Sequence, residues 1–336
     1  MAALRNICIY GAGALGGTLA ARLADGLGDQ VAVSVIARGA HLEAIREKGL
    51  QIKVLGEEKP VIVPVNATDD PSSLPKQDLV ITGLKGHQVP AAADGLAGLL
   101  SDGARVVMVL NGIPWWYFHR DENSGHADHR LQELDPGDQL WNAVGPQRVI
   151  GCVAHQGAEV VEPGVIQLPN RGRFILGEPS GEISQDLASI SDLLSSAGLD
   201  IIQTPAIREE IWSKLMGNAS FNPLSALTRS LCDRIVTDPG LLALMERVMT
   251  EVNTVATALG VKPAQSVEER LKEAMTIGPH PTSMLQDLIA RKPLEYVPLV
   301  DVVVRLGQMT STAVPALETI LALVAELDRQ NRGIQA

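Results

Sequence analysis

A chain of 336 residues with 46% hydrophobic content can bury a sizeable core, favours two domains, and with 3% aromatics must fill them with aliphatic side chains. A net charge of −11 excludes a general nucleic-acid or membrane-surface role, which needs a basic face, yet allows a small anionic substrate held by local cations. The three cysteines, Cys8, Cys152 and Cys232, give neither a disulfide framework nor metal-ligand spacing. No apolar run approaches the roughly 20 residues of a membrane span, and "MAALRNICIYGAG" enters a strand too soon for a secretion signal. These features predict a soluble cytoplasmic protein with no metal site.

The first elements carry the strongest signal. "NICIYGAGALGGTLAARLADG" reads as strand, glycine turn and amphipathic helix, with Gly11-x-Gly13-x-x-Gly16 where the strand gives way to the helix. In a dinucleotide-binding turn the first glycine permits the tight bend and the second admits a pyrophosphate. The third lets the helix pack on the sheet, and the helix N-terminus faces the phosphates. Gly11, Gly13, Ala14, Leu15 and Gly16 are the cofactor-binding candidates there. A second strand, "QVAVSVIARG", has no acidic residue between Val31 and Ala40 for a ribose 2′-hydroxyl, and Arg38 follows it. A guanidinium at that point suits a 2′-phosphate, which predicts NADP(H).

"QDLVITGLKGHQ" and "ARVVMVLNGIPWW" are two further strands ending at Lys85 and Asn111, where a parallel sheet holds its ligand. For Lys85 an exposed lysine, and for Asn111-Gly112 a plain turn, remain open readings. Residues 114–146 mix three of the four tryptophans with charge, Gly and Pro, which predicts an insertion acting as a mobile lid or packing elsewhere. As a lid, its Trp115, Trp116 and Tyr117 would exclude water and its polar "HRDENSGHADHR" would face outward. His119, His126 and His129 lack the spacing of a metal site. Strands follow at "RVIGCVAHQGAEVVEPGVIQLP", "RFILGEPSG" and "LDIIQTP", with a helix at 182–197. From Ile207 the chain reads as helical, with breaks at Asn222-Pro223, Asp238-Pro239, Lys262-Pro263, Pro279 to Pro281 and Val314-Pro315. The expected fold is therefore an α/β Rossmann-type domain with a doubly wound, mostly parallel sheet over 1–205, interrupted by the insertion 114–146. An all-α substrate domain follows over 206–336.

Within "EEIWSKLMGNASFNPLSA", Lys214, Asn218 and Asn222 recur every four residues and so share one helix face. An amine and two amides make poor core, so this face should meet water or line a polar cleft facing the cofactor.

Taken together, these residues resemble the ketopantoate reductase (2-dehydropantoate 2-reductase) family, which joins a GxGxxG Rossmann domain to a helical domain bearing a Lys…Asn…Asn-Pro stretch. The resemblance covers most of the chain. It implies that Lys214 is the general acid and that Asn218 and Asn222 hold it and the substrate. It also implies that Lys85 and Gln88 of "LKGHQ" contact cofactor and that Asn111 of "LNG" lies at the nicotinamide. Ser283 and Glu295 of "TSMLQDLIARKPLE" fall on substrate-binding positions, Glu295 also counting among the catalytic residues. After that glutamate the family reads Ile-Asp and a short apolar, Asn-Gly stretch, whereas this chain reads Tyr296-Val297-Pro298.

The implied activity is NADPH-dependent reduction of a small anionic 2-oxo acid, first of all ketopantoate to pantoate in pantothenate biosynthesis. Hydride addition to a C2 ketone leaves an alkoxide that a lysine ammonium can protonate while polarising the carbonyl. A homodimer is allowed. The alternatives are a reductase of another 2-oxo acid, an opine-type dehydrogenase, and a non-catalytic NADP-binding sensor. Dehydrogenases of the second kind rely on a His-Asp or His-Arg set, and His87 has no evident acidic companion in the sequence.

Overall fold

The computed structural model describes residues 4–333. These form two compact units, the first running to Leu110 and resuming over Asp135–Ile207, the second comprising Asn111–Leu134 and the chain from Arg208 onward.

The first unit is α/β. Its strands are β1 (Asn6–Tyr10), β2 (Ala32–Ile36), β3 (Leu50–Val54), β4 (Val61–Val63), β5 (Asn66–Thr68), β6 (Gln77–Thr82), β7 (Leu100–Val109), β8 (Val149–His155), β9 (Glu159–Glu162), β10 (Val165–Leu168), β11 (Arg173–Gly177) and β12 (Asp200–Gln203). Its helices are α1 (Ala14–Leu27), α2 (Gly39–Lys48), α3 (Ala93–Leu99), α4 (Gln139–Ala143) and α5 (Gln185–Ser196).

Eight strands form one sheet in the order β12-β11-β8-β7-β6-β1-β2-β5. All neighbours run parallel except β8 and β11. The strand order turns back between β1 and β6, so the C-terminal ends of these two strands mark a topological switch point. Tyr10 pairs there with both Ile36 and Thr82. β1, β6 and β8 are almost wholly buried, which is why their central residues read as apolar on both faces without polar alternation.

A smaller sheet, β4-β3-β10-β9, had no counterpart in the sequence reading on its β3–β4 side, and β5 was likewise not foreseen. Its short strands, split by "GEEKP", carry too little periodicity to stand out. α1 packs against both sheets, and its adjacent glycines explain how. A Cβ on Gly16 would stand 2.0 Å from the Gly11 carbonyl oxygen, and one on Gly17 would stand 2.2 Å from Cδ1 of Ile166 in β10. Two glycines in a helix cost about 1 kcal/mol each in propensity, and close packing on two sides offsets that cost.

At the far end of the sheet Arg105, 13% exposed, donates at 2.9 Å to both Glu178 and Asp186. It thereby ties β7 to α5 and to the chain just past β11.

The second unit is helical: α6 (Ile207–Thr228), α7 (Cys232–Thr237), α8 (Pro239–Ala258), α9 (Val267–Ala274), α10 (Ser283–Ile289), α11 (Val302–Met309) and α12 (Pro315–Asn331), with a π-helical stretch at Val297–Asp301. The Asp238-Pro239 and Val314-Pro315 pairs do start new helices. Asn222-Pro223 does not end one. α6 continues through Pro223 to Thr228, correcting the expected break, because residues 219–226 are all buried and their packing outweighs the lost backbone bond. The N-terminus of α12 lacks a side-chain cap of its own. Glu251 of α8 supplies one, accepting from Ala316 N and Leu317 N at 2.9 Å each, so a buried carboxylate meets the positive end of a helix.

The excursion Asn111–Leu134 belongs to this helical unit and not to the Rossmann unit to which the sequence reading assigned it. Pro114–Phe118 are buried, with Tyr117 and Phe118 at 0% exposure.

The glycine turn generates a paired test of stability. Gly16→Ala is expected to cost about 3 kcal/mol or more, at the upper end for overpacking, because the clashing atoms are backbone. Gly13→Ala, whose Cβ would meet only the Gly83 oxygen at 3.8 Å, should stay within about 1 kcal/mol of wild type. Urea denaturation of both variants measures the difference, and equal costs would refute this account of the turn.

Candidate active site

In the first unit the site is built around the switch point. Gly11 adopts φ +98°, which only glycine takes without strain, and Gly11 N and Ala12 N both donate to Ile36 O at 3.1 and 3.0 Å. Gly83, just past β6, donates to Tyr10 O at 2.9 Å, and a Cβ on it would lie 2.4 Å from Gly11 O and 2.6 Å from the Gly16 Cα. Gly11, Gly16 and Gly83 therefore meet backbone to backbone. Gly13, in contrast, is crowded by nothing of its own chain and caps α1 without a side chain. The first-turn N–H groups after it, at Ala14 and Leu15, begin a helix whose positive end favours an anion. The residues present thus fit a dinucleotide diphosphate.

Arg38 follows β2, is exposed, and occupies the N-cap position of α2. Lys85 and Gln88 sit in the loop after β6. Gln88 N donates to Lys85 O at 2.8 Å while Gln88 Oε1 accepts from Lys85 N at 3.0 Å, so the two hold one tight turn. Cys8, at 0% exposure in β1, has its thiol pushed up to about 12 by burial, which removes it as a nucleophile at neutral pH.

In the second unit the polar face of α6 takes shape. Lys214 and Asn218 are half-buried and Asn222 is 7% exposed. Lys214 Nζ donates to Asn111 Oδ1 at 2.8 Å. Asn111, read from sequence as the end of a sheet strand, therefore lies in the same unit as the lysine and bonds to it. Neighbouring groups fix both partners. Trp212 Nε1 donates to Tyr117 Oη at 2.7 Å, and Arg208 donates to the carbonyls of Tyr117 and His119 at 2.9 and 2.8 Å. Burial raises the Tyr117 phenol well above its usual range and lowers the Arg208 guanidinium.

Pro298 supplies the last restraint. Its carbonyl accepts from Ile113 N at 3.0 Å, and a Cβ on Gly112 (φ +78°) would stand 2.3 Å from that oxygen. The departure Tyr296-Val297-Pro298 thus forms the π-helical seat of the Asn111-Gly112 turn. A proline inside a helical stretch hinted at an irregular backbone, but nothing local revealed its partner.

Glu295 is 9% exposed, and the backbone before it is held from α12: Leu294 N donates to Asp328 Oδ1 at 2.8 Å, and Asn331 Nδ2 to Lys292 O at 2.8 Å. Ser283 is exposed, and Thr282, not Ser283, caps α10 by accepting from Leu285 N at 3.3 Å.

The aromatic run does not form a lid. Trp115, Trp116, Tyr117 and Phe118 are core of the helical unit at 2% exposure or less, with Tyr117 edge-on to both Phe118 and Trp212. The three histidines serve this core and its rim. His119 Nδ1 lies 2.8 Å from Asp128 Oδ1, and the rings of His126 and His129 stand edge-on to Phe118 at 6.1 and 5.5 Å. Among the described residues no cluster of His, Cys, Asp or Glu could hold a metal ion, and no helix is long and apolar enough to cross a membrane.

The family described as ketopantoate reductase PanE/ApbA matches residues 7–181, and its C-terminal counterpart matches residues 206–328. A 2-dehydropantoate 2-reductase from Mesorhizobium japonicum is 44% identical over 96% of this chain and 97% of its own length. One from Halobacterium salinarum is 30% identical over 95% and 97%. The crystal structure of a candidate ketopantoate reductase from Ralstonia solanacearum MolK2 superposes with a TM-score of 0.90 at 40% identity, covering 99% of this chain and 100% of that one.

The packing of the aromatic run predicts that backbone amides of residues 115–118 exchange slowly with solvent in the ligand-free protein and that ligands leave them unchanged. Hydrogen-exchange mass spectrometry measures this directly. Fast exchange that slows on addition of ligand would restore the lid reading.

Proposed function

The chain belongs to the ketopantoate reductase family, and from that premise we propose that it reduces 2-dehydropantoate to pantoate, with hydride from NADPH and the proton from Lys214. The observation that carries this reading is the Lys214–Asn111 hydrogen bond of 2.8 Å. It holds one ammonium at a fixed place on a helix face that also bears Asn218 and Asn222. The first unit contributes the glycine turn and Arg38 for the cofactor, and a bound nicotinamide supplies the hydride.

The remaining chemistry belongs to this chain's own side chains. Asn111 Oδ1 accepts from Nζ and so orients the ammonium. Lys214 polarises the C2 carbonyl, and as the carbon accepts hydride the C=O electron pair moves onto oxygen, which takes a proton from Nζ. General acid catalysis of this kind contributes roughly 10²–10⁴-fold. The amides of Asn218 and Asn222 can donate to the substrate carboxylate. Glu295 and Ser283 complete the substrate set, with Glu295 accepting from a substrate hydroxyl. Lys85 and Gln88 contact the cofactor from the loop after β6. In this reading the protein acts in pantothenate biosynthesis in the cytoplasm.

A panel of 2-oxo acids assayed by loss of NADPH absorbance tests the reading, and turnover of ketopantoate above the rest is expected. Lys214→Ala should lower kcat by roughly 10²-fold or more and leave NADPH affinity within a few-fold. Near-wild-type turnover in that variant would remove Lys214 from the reaction.

The cofactor preference has its own test. NADPH should bind at least about tenfold more tightly than NADH, or about 1.4 kcal/mol. Arg38→Ala should weaken NADPH alone, since only NADPH carries the 2′-phosphate. Equal affinities of the wild-type protein for the two dinucleotides, by titration calorimetry, would refute the assignment of Arg38.

A further inference from the structure

The glycine turn is held by a side chain that lies outside the GxGxxG motif. His41, half-buried in the first turn of α2, places Nε2 2.7 Å from Ala12 O, while its Nδ1 lies 3.0 Å from Gly164 N. Gly164 belongs to the turn between β9 and β10 and has φ +79°. A backbone N–H can only donate, so Nδ1 must be the bare nitrogen and Nε2 must carry the hydrogen it gives to Ala12. The two backbone partners thus dictate one neutral tautomer.

The consequence lies on the other side of the Ala12–Gly13 peptide. A trans peptide is planar, so its C=O and N–H point in opposite directions. The Ala12 oxygen points inward, towards His41 and Gly17, where a Cβ on Gly17 would stand 3.2 Å from it. Gly13 N–H must then point outward, alongside the first-turn donors of α1. Glycine at 13 tolerates almost any φ, so nothing intrinsic to the turn prevents this peptide from flipping. A flipped peptide would present a carbonyl oxygen where the diphosphate needs a donor.

We infer that His41 is a positioning residue for the cofactor: as the Nε2–H tautomer it pins the Ala12–Gly13 peptide so that Gly13 N–H is presented to the dinucleotide diphosphate. The inference rests on the cofactor reading above and extends it to a residue three positions past Arg38. The start of α2 thereby serves the cofactor twice, through the N-cap Arg38 and, one turn inward, through the His41 brace.

The diphosphate is common to both dinucleotides, which separates this role from that of Arg38. His41→Ala should weaken NADPH and NADH by the same factor, about tenfold, on the scale of one or two lost hydrogen bonds. The loss should fall on Kd and KM for the cofactor and not on kcat. Substitutions of matching reach identify which bond matters. The amide nitrogen of His41→Gln lies as many bonds from Cα as Nε2 and can still donate to Ala12, whereas the amide oxygen of His41→Asn matches Nδ1 and can only serve Gly164. Nicotinamide fluorescence titrations of wild type and the three variants, each with its melting temperature, test the inference. Recovery of affinity in Gln but not in Asn supports it, and that comparison stands even if the Ala variant fails to fold. Unchanged affinity in His41→Ala, or recovery in Asn as good as in Gln, overturns the brace alone. A wild-type protein that binds neither dinucleotide overturns the cofactor reading and the inference with it.

Discussion

The first unit depends on one contact made by the absence of side chains. At the switch point of the sheet, Gly11, Gly16 and Gly83 bring the end of β1, the start of α1 and the end of β6 together backbone to backbone. Any Cβ at Gly16 or Gly83 would fall within 2.4 Å of the Gly11 carbonyl oxygen. This closeness lets α1 begin directly above the strand ends, aiming its uncapped N-terminus at one place. Other features of the unit serve that placement. The buried strands give a rigid floor, the smaller sheet holds the outer side of α1 through Ile166 against Gly17, and His41 braces the turn from α2.

The second unit meets the opposite demand, since it must keep an ammonium and two amides on a helix that is largely buried. It does so by giving the polar groups fixed partners and surrounding them with stiff core. Asn111 accepts from Lys214, Pro298 and Gly112 seat the turn that carries Asn111, and the Trp212–Tyr117 bond locks α6 to the same excursion of chain. A half-buried lysine anchored by a hydrogen bond loses less freedom on engaging a substrate than one waving in solvent. The excursion from Asn111 to Leu134 is therefore best understood as a structural arm of the helical unit. Its aromatic residues serve packing and its charged residues, apart from the buried Asp121, lie towards the surface, a composition that a lid would share. Aromatic clusters in a core and under a lid have the same sequence signature, because both need large apolar surface interrupted by turns.

Much of the architecture was legible in the residues. The strand-turn-helix opening, the mostly parallel sheet, the late helical half and the breaks at Asp238-Pro239 and Val314-Pro315 all rest on rules that act within a few residues: alternation, glycine conformations, proline placement and four-residue helical spacing. Those rules also brought Lys214, Asn218 and Asn222 onto one face before any fold was known. They failed where distant packing overruled them. Pro223 lies inside a helix because eight consecutive buried residues around it outweigh one missing backbone bond. At α10 two adjacent hydroxyl side chains, Thr282 and Ser283, precede the same apolar run, and only the backbone geometry shows that Thr282 is the cap.

What the sequence determined alone was the chemistry on offer: a glycine turn opening a helix, an arginine where an acidic residue would select NAD, and an amine with two amides in one stripe. The tertiary structure decided which groups meet. The Lys214–Asn111 bond joins residues 103 positions apart, the His41 brace reaches 29 positions back to Ala12 and 123 forward to Gly164, and the Pro298 carbonyl finds Ile113. None of these pairings has a local signature, because a hydrogen bond between distant segments depends on how two backbones are brought together by the burial of everything else. A sequence states each donor and acceptor, but only the packed core sets the few ångströms between them.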